Sequence, residues 1–317
     1  MNLLLSGSVA FDYLMTFPGK FRDQILLEKL EALSLSFLVD SFVRRRGGIA
    51  PNIAYTYALL GGKPKIFATV GEDFEDYRMW LEERGVDTSW AKVIPGEHTA
   101  SFFATTDQEN SQLASFYPGA MAHASELSLQ DLDKKPDLVV VSPNDPGAMV
   151  KYLEECKDLN IPYLYDPSQQ VVRVDGDVLC HGIEGALALF LNEYELELVM
   201  KKTGMNQKAI LDHVEFMVVT LGEKGATVFA GGDEHKIGAV QPTKIIDPTG
   251  AGDAFRGGFL TGYSRGWDWE VCAQMGALTA TYCLESDGPQ GHDYTRAEFV
   301  ERYRQHYDDH GLLDVLI

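Results

Sequence analysis

Short apolar runs that alternate with helical patterns constrain this chain more than any other feature. LLLSGSVA precedes a helical pattern over 51–61, KIFATV one over 74–84 and DLVVVS one over 146–159; PYLYD, ALALFL with 193–201, and EFMVVT follow. Several of these runs are apolar throughout, as strands buried on both faces are. The alternation predicts an α/β fold, a doubly wound and mostly parallel sheet flanked by helices. Ligands of such sheets lie beyond the carboxyl ends of the strands. DPS after YLY, NEYE after ALALFL and TLGEKG after FMVV fall there.

Two segments break the rhythm. SFFATTD and SQLASFYP alternate in polarity on either side of Gln108–Asn110 and predict a hairpin. Phe11 to Arg46 interrupts the first β-α unit. Together they predict a small β-sheet lid, from about 12–46 and 97–118, on a single domain spanning 1–317. TVFAGGDEHKIGAV predicts another hairpin, and the chain beyond Ala251 is mainly helical, including 268–284 and 295–306.

A formal charge of −20 argues against a nucleic-acid partner, which Lys and Arg would have to hold. Arg44, Arg45 and Arg46 are too short a cluster to change that. Cys156, Cys180, Cys272 and Cys283 have neither zinc-site nor disulfide-framework spacing and are expected to be reduced. MNLLLSGSVAF lacks a cationic lead and no apolar run reaches about 18 residues, so no membrane partner and a cytoplasmic location are expected.

IIDPTGAGDAFRGGFL gathers Pro248, Thr249, Gly250, Ala251, Gly252 and Gly257 around one acid, Asp253. A turn leading into a helix near Ala251 would aim unpaired N–H groups at an anion. Small side chains would let a phosphoryl group approach the backbone. Taken alone, Asp253 could merely complement the helix dipole, worth about 0.3–1 kcal/mol.

DPTGAGDAFRGGFL resembles the second signature of the ribokinase-like (PfkB) sugar and nucleoside kinases, GGIAPNIAYTYALLGG the first, and NEYE their N-x-x-E element, in the expected order. SGSVAFDYLMTFPGKF, LSFLVDSFVRRRGG, FFATTD, ASFYPGAM and DPSQQ are similar to the bacterial adenosine kinases within that family. The likeness covers nearly the whole chain and is weakest after about residue 285. Pro51 departs from the first signature, where a small residue is usual, but proline is tolerated at a helix start.

The resemblance implies ATP-dependent phosphorylation of the adenosine 5′-hydroxyl. Asp253 would be the general base, kept ionised by the helix terminus, and Gly250, Ala251 and Gly252 would offer N–H groups to the transferring phosphoryl. It implies that Asn192 and Glu195 organise Mg²⁺ through water; without it they read as a cap and a solvated acid. Thr220, Gly222, Lys224 and Gly225 are similar to the family's ATP loop, and Arg173 is carried over near phosphate.

Asp12 could accept both hydroxyls of a ribose diol, with Ser8, Gly48 and Asn52 completing the sugar pocket by family analogy. Phe102 and Phe116 are expected to bracket the base, although aromatic pairs on a hairpin more often form a lid core. Gln169 and Gln170 are placed near the nucleoside. Asp247 and Thr249 match positions where relatives bind a monovalent cation through backbone oxygens, so K⁺ stimulation is expected. An apolar sheet of LSFLV with SFFATT would need cover, which relatives supply by pairing lids in a homodimer. Two rival readings stay open: a kinase of the same family for ribose, another sugar or another nucleoside, and a catalytically silent nucleoside sensor.

Overall fold

LLLS, KIFATV, LVVV, YLY, ALFLN and FMVVT each form a strand of one large sheet. The computed structural model describes residues 1–25 and 35–317. The first part of the chain forms β1 (Leu3–Ser6), β2 (Ala10–Thr16), α1 (Phe21–Gln24), β3 (Ser41–Gly47), α2 (Ile49–Leu59), β4 (Lys65–Val70) and α3 (Glu75–Glu82). Then come β5 (Asp87–Val93), β6 (Ala100–Thr106), β7 (Gln112–Tyr117), β8 (Leu138–Val141), α4 (Pro146–Asp158) and β9 (Tyr163–Tyr165). They are followed by α5 (Gly176–Ile183), β10 (Ala188–Asn192), α6 (Glu193–Thr203), α7 (Gln207–Leu211), β11 (Phe216–Thr220), β12 (Ala226–Ala230) and β13 (Asp233–Ile237). Three helices end the series: α8 (Ala251–Tyr263), α9 (Trp269–Leu284) and α10 (Arg296–Arg304).

The large sheet runs β13-β12-β11-β10-β9-β8-β1-β4-β5. It is parallel from β11 to β5, and the β12–β13 hairpin pairs antiparallel at one edge. Alternate residues of each strand enter opposite cores. Leu3, Leu5, Ile66, Val140, Phe190 and Val218 meet α2, α3, α8 and α9, while Leu4, Phe67, Val139, Leu189 and Met217 meet α4, α5, α6 and α7. Phe299, Val300 and Tyr303 of α10 form a smaller cluster with Leu278 and Met275 of α9. This is the expected doubly wound fold. Strand order reverses at β1, so the loop after it opens at a topological switch point.

The small sheet runs β3-β2-β6-β7, with β2 parallel to β6 and antiparallel to β3. The lid expected over 12–46 is realised in part by β2 and β3; its residues 26–34 lie outside the described ones. LSFLV is not a strand, contrary to expectation. Pairing begins at Ser41, and Phe37 instead packs edge-on against Phe17 and Phe21. β5 was not foreseen, because DTSWAKV is a half-solvated edge strand whose register shifts against β4. α2 starts two residues before the expected 51, so Pro51 stands third in the helix. Its missing N–H is still one of the four that a helix start leaves unpaired. Among the described residues no helix is long and apolar enough to cross a membrane.

Candidate active site

The glycine-rich turn closes against the loop that follows α9. Asp247 Oδ1 accepts the Thr249 N–H at 2.8 Å, and Gly250, the N-cap of α8, takes a left-handed φ of 81°. A Cβ there would lie 2.4 Å from the Pro289 Cβ, so only glycine lets the turn pack this closely. The Ala251 N–H reaches the Pro248 carbonyl at 3.3 Å and the Ala254 N–H reaches that of Gly250 at 2.8 Å. That leaves the N–H groups of Gly250, Gly252 and Asp253 without a protein acceptor among the described residues. The free donors of this helix start are thus the expected Gly250 and Gly252 together with Asp253, while the Ala251 N–H is taken up within the turn.

Asp253, the third residue of α8, lies within that donor set. Burial lifts its carboxyl from 3.8 to about 7; Arg256 and the Asn52 amide, which donates to Oδ2 at 2.8 Å, oppose the rise, and Asp166 and Glu195 add to it. The helix terminus was expected to favour the ionised form of Asp253, but burial works against it. Loss of hydration outweighs the dipole, and the group is tuned close to neutrality.

Arg256 went unremarked in the sequence, although it follows Asp253 by one helical step. Its Nη2 donates to Asp166 Oδ1 at 2.7 Å and its Nε lies 2.6 Å from Oδ2. Nη1 donates back to the Gly252 carbonyl at 3.0 Å. Asp166 is wholly buried at the end of β9, so this pair ties the first turn of α8 to the carboxyl edge of the sheet. Ser168 donates to the same carboxylate at 2.7 Å from a left-handed φ of 40°, a strained conformation of the kind that gathers at functional sites.

On the acceptor side, Asp12 is in register with Arg45 on one neighbouring strand and with Phe102 on the other, and Phe102 with Phe116 beyond. These four side chains share one face of the small sheet. Phe102 and Phe116 thus stand side by side, a wall rather than the two jaws expected. Burial raises the Asp12 carboxyl to about 6, against the pull of Arg45. Arg45 also reaches out of the small sheet, donating to Asp247 Oδ2 at 2.6 Å and to the Asp287 carboxylate.

Gly48, with φ 95°, opens α2 where a Cβ would strike the Ser8 carbonyl at 2.5 Å. Ser8 Oγ accepts the Ile49 N–H at 3.4 Å. Gln170 donates to the Asn144 carbonyl at 3.1 Å, whereas Gln169 is exposed.

On the other side, Asn192 and Thr220 are register partners at the carboxyl ends of β10 and β11. Asn192 caps α6: its Oδ1 accepts the Glu195 N–H, and Glu195 Oε2 accepts the Asn192 N–H, each at 2.8 Å. The Glu195 carboxyl is raised, by burial first and then by Asp166, against the Asn192 N–H and Arg256. Gly222 to Gly225 form a tight turn in which Lys224 is exposed. Arg173 is also exposed, just past the short helical turn Ser168–Val172. Asp253, Asp166 and Glu195 leave one guanidinium to balance three mutually repelling acids, an environment that suits an added cation. Among the described residues no three His, Cys, Asp or Glu side chains stand close enough to grip a metal directly.

A cleft of about 710 Å³ between α7 and the 231–234 turn lies at the amino edge of β11, away from these groups. The site sits instead at the carboxyl edge, where Asp166, Asn192 and Thr220 end their strands.

The pattern of the pfkB family carbohydrate kinases matches residues 9–295. A nucleoside kinase of Methanocaldococcus jannaschii is 29% identical over 302 residues, 95% of this chain and 96% of that one. The adenosine kinase of Saccharomyces cerevisiae is 24% identical over 89% of this chain and 92% of its own. The structure of a Burkholderia thailandensis nucleoside kinase in complex with inosine superposes with a TM-score of 0.85 at 35% identity, covering 96% of this chain and 98% of that one. A carboxylate among free N–H groups at a helix start, on a doubly wound sheet that these relatives share over nearly their whole length, leads to one statement: the chain belongs to the pfkB carbohydrate kinase family and is an ATP-dependent nucleoside or sugar kinase.

Proposed function

We propose that this kinase is an ATP:adenosine 5′-phosphotransferase. The observation that carries the choice of a nucleoside over a free sugar is the row Asp12, Phe102 and Phe116 on one face of the small sheet. A carboxylate that can accept a ribose diol stands there beside an aromatic wall for a flat base. The relatives named for adenosine and bound to inosine support a purine.

In this reading Ser8, Gly48 and Asn52 complete the ribose site, and Gln169 and Gln170 edge the nucleoside. Asp253 accepts the proton of the 5′-hydroxyl as that oxygen attacks the γ-phosphorus and the bond to the departing ADP breaks. The N–H groups of Gly252 and Asp253, with the turn from Gly250, hold the phosphoryl oxygens. Thr220, Gly222, Lys224 and Gly225 receive the nucleotide, with Arg173 toward its phosphates. Bound Mg²⁺ supplies charge neutralisation to those phosphates, and Asn192 and Glu195 would hold it through water. In this reading K⁺ takes the backbone oxygens of Asp247 and Thr249, beside the turn. The small sheet acts as a lid, and its outer face pairs two copies in a homodimer.

A substrate panel tests the assignment. Adenosine, inosine, cytidine and ribose are compared with Mg-ATP in K⁺ or in tetramethylammonium. AMP from adenosine should form with the highest kcat/KM, and faster in K⁺. Preferred formation of ribose 5-phosphate would make the enzyme a sugar kinase. Failure to release ADP with any acceptor would leave the sensor reading, and equal rates in the two cations would remove K⁺.

A further inference from the structure

We infer that Gln290 is a positioning residue that fixes the direction of the hydrogen bond from Asn52 to Asp253, an inference that rests on Asp253 being the base. Gln290 lies in the loop after α9, 8% exposed and 238 positions from Asn52 in sequence. Its Nε2 donates to Asn52 Oδ1 at 2.9 Å and also to the Tyr77 hydroxyl. The Tyr77 hydroxyl donates in turn to the Gly47 carbonyl at 3.0 Å. Burial raises the Tyr77 pKa, so the hydroxyl remains a donor.

The polarity of this chain is set from both ends. An ionised carboxylate at one end and a carbonyl at the other can only accept. Asn52 must therefore turn Nδ2 to Asp253 and Oδ1 away from it, and Tyr77 must turn its proton to Gly47. Both middle groups then present an oxygen inward, and something between them must supply two protons. A primary amide does so from one nitrogen. Gln290 Oε1 has no partner among the described residues, and an unpaired buried acceptor costs stability that packing alone does not explain. Gly47 ends β3, so the same chain anchors the base to the junction between the small sheet and α2.

Gln290→Glu removes both donors at nearly constant shape. Asn52 would then rotate its N–H toward Glu at 290 and show Oδ1 to the base. Gln290→Leu removes the donors without adding charge. The other charged or titratable groups facing Asp253 are Arg256 on its own helix, Asp166 after β9, Glu195 on α6 and Cys283 on α9. None of them changes in either variant.

The experiment is the pH dependence of single-turnover phosphoryl transfer for both variants, with Asp253→Asn in parallel and thermal unfolding to confirm folding. Losing a donor to the ionised carboxylate raises its pKa, so the acid limb must move to higher pH, by about half a unit in Gln290→Leu and about one in Gln290→Glu. At pH 7 the shift should lower the rate about twofold and about fivefold respectively, while the KM for ATP stays within about twofold. An acid limb that stays in place in Gln290→Leu overturns the inference, whatever the rate, since the charge added in Gln290→Glu can move the limb by itself. Wild-type turnover in Asp253→Asn would instead overturn the base itself, which separates the two failures.

Discussion

A single carboxylate decides most of the chemistry. Burial makes Asp253 a stronger base than a surface aspartate at the expense of folding stability, since an ionised group there is poorly hydrated. The folded chain holds the Asp253 proton up to about pH 7, whereas the unfolded value is near 3.8. Wild-type stability from this group is therefore present at low pH and is lost as pH rises through 7. Asparagine does not titrate. Asp253→Asn should raise the melting temperature by about 2–6 °C at pH 8, with less than about half of that gain left at pH 5. An equal gain at both values in calorimetry would remove the burial explanation. Asp253, Asn52 and Asp12 were legible in the sequence because each lies in a local motif. Arg256 and Gln290 were not, since their partners lie 90 and 238 positions away, and no local pattern announces such a pair.

At the scale of elements, what was legible is what burial on both faces imposes. β1, β4, β8, β10 and β11 are apolar runs because helices cover both sides. β5 escaped because one side of it meets water, and β3 because SFVRRRG carries three arginines in a strand exposed over most of its length. The start of α2 escaped for another reason: Gly48 offers no side-chain cap, so nothing marks the boundary ahead of Pro51. Of the two readings of NEYE, the cap is the one the structure shows. The capping box is formed, and the uncapped oxygen of Glu195 still belongs to the acidic group around Asp253. A motif whose backbone role and ligand role use different atoms cannot be resolved by spacing alone.

At the scale of the whole molecule, the described residues leave an aromatic surface of the small sheet open. Tyr13 stacks on Phe103 at 4.8 Å and on Phe42 at 5.9 Å, on the face of the small sheet opposite Asp12. Phe42 is 61% and Leu113 45% exposed on that face. An aromatic sheet face of this kind is covered in stable proteins. Light scattering should give about twice the chain mass of 35.2 kDa at micromolar concentration, and Phe42→Glu with Leu113→Glu should give the monomer. A monomeric wild type would contradict the pairing. The central claim remains local: one acid accepts the proton while the first turn of α8 holds the phosphoryl group. It is tested most directly by the turnover of Asp253→Asn, with adenosine and ATP binding measured by calorimetry. The account predicts both ligands bound within about threefold of wild type and turnover reduced by about 10²-fold or more. Near-normal turnover with intact binding would contradict it.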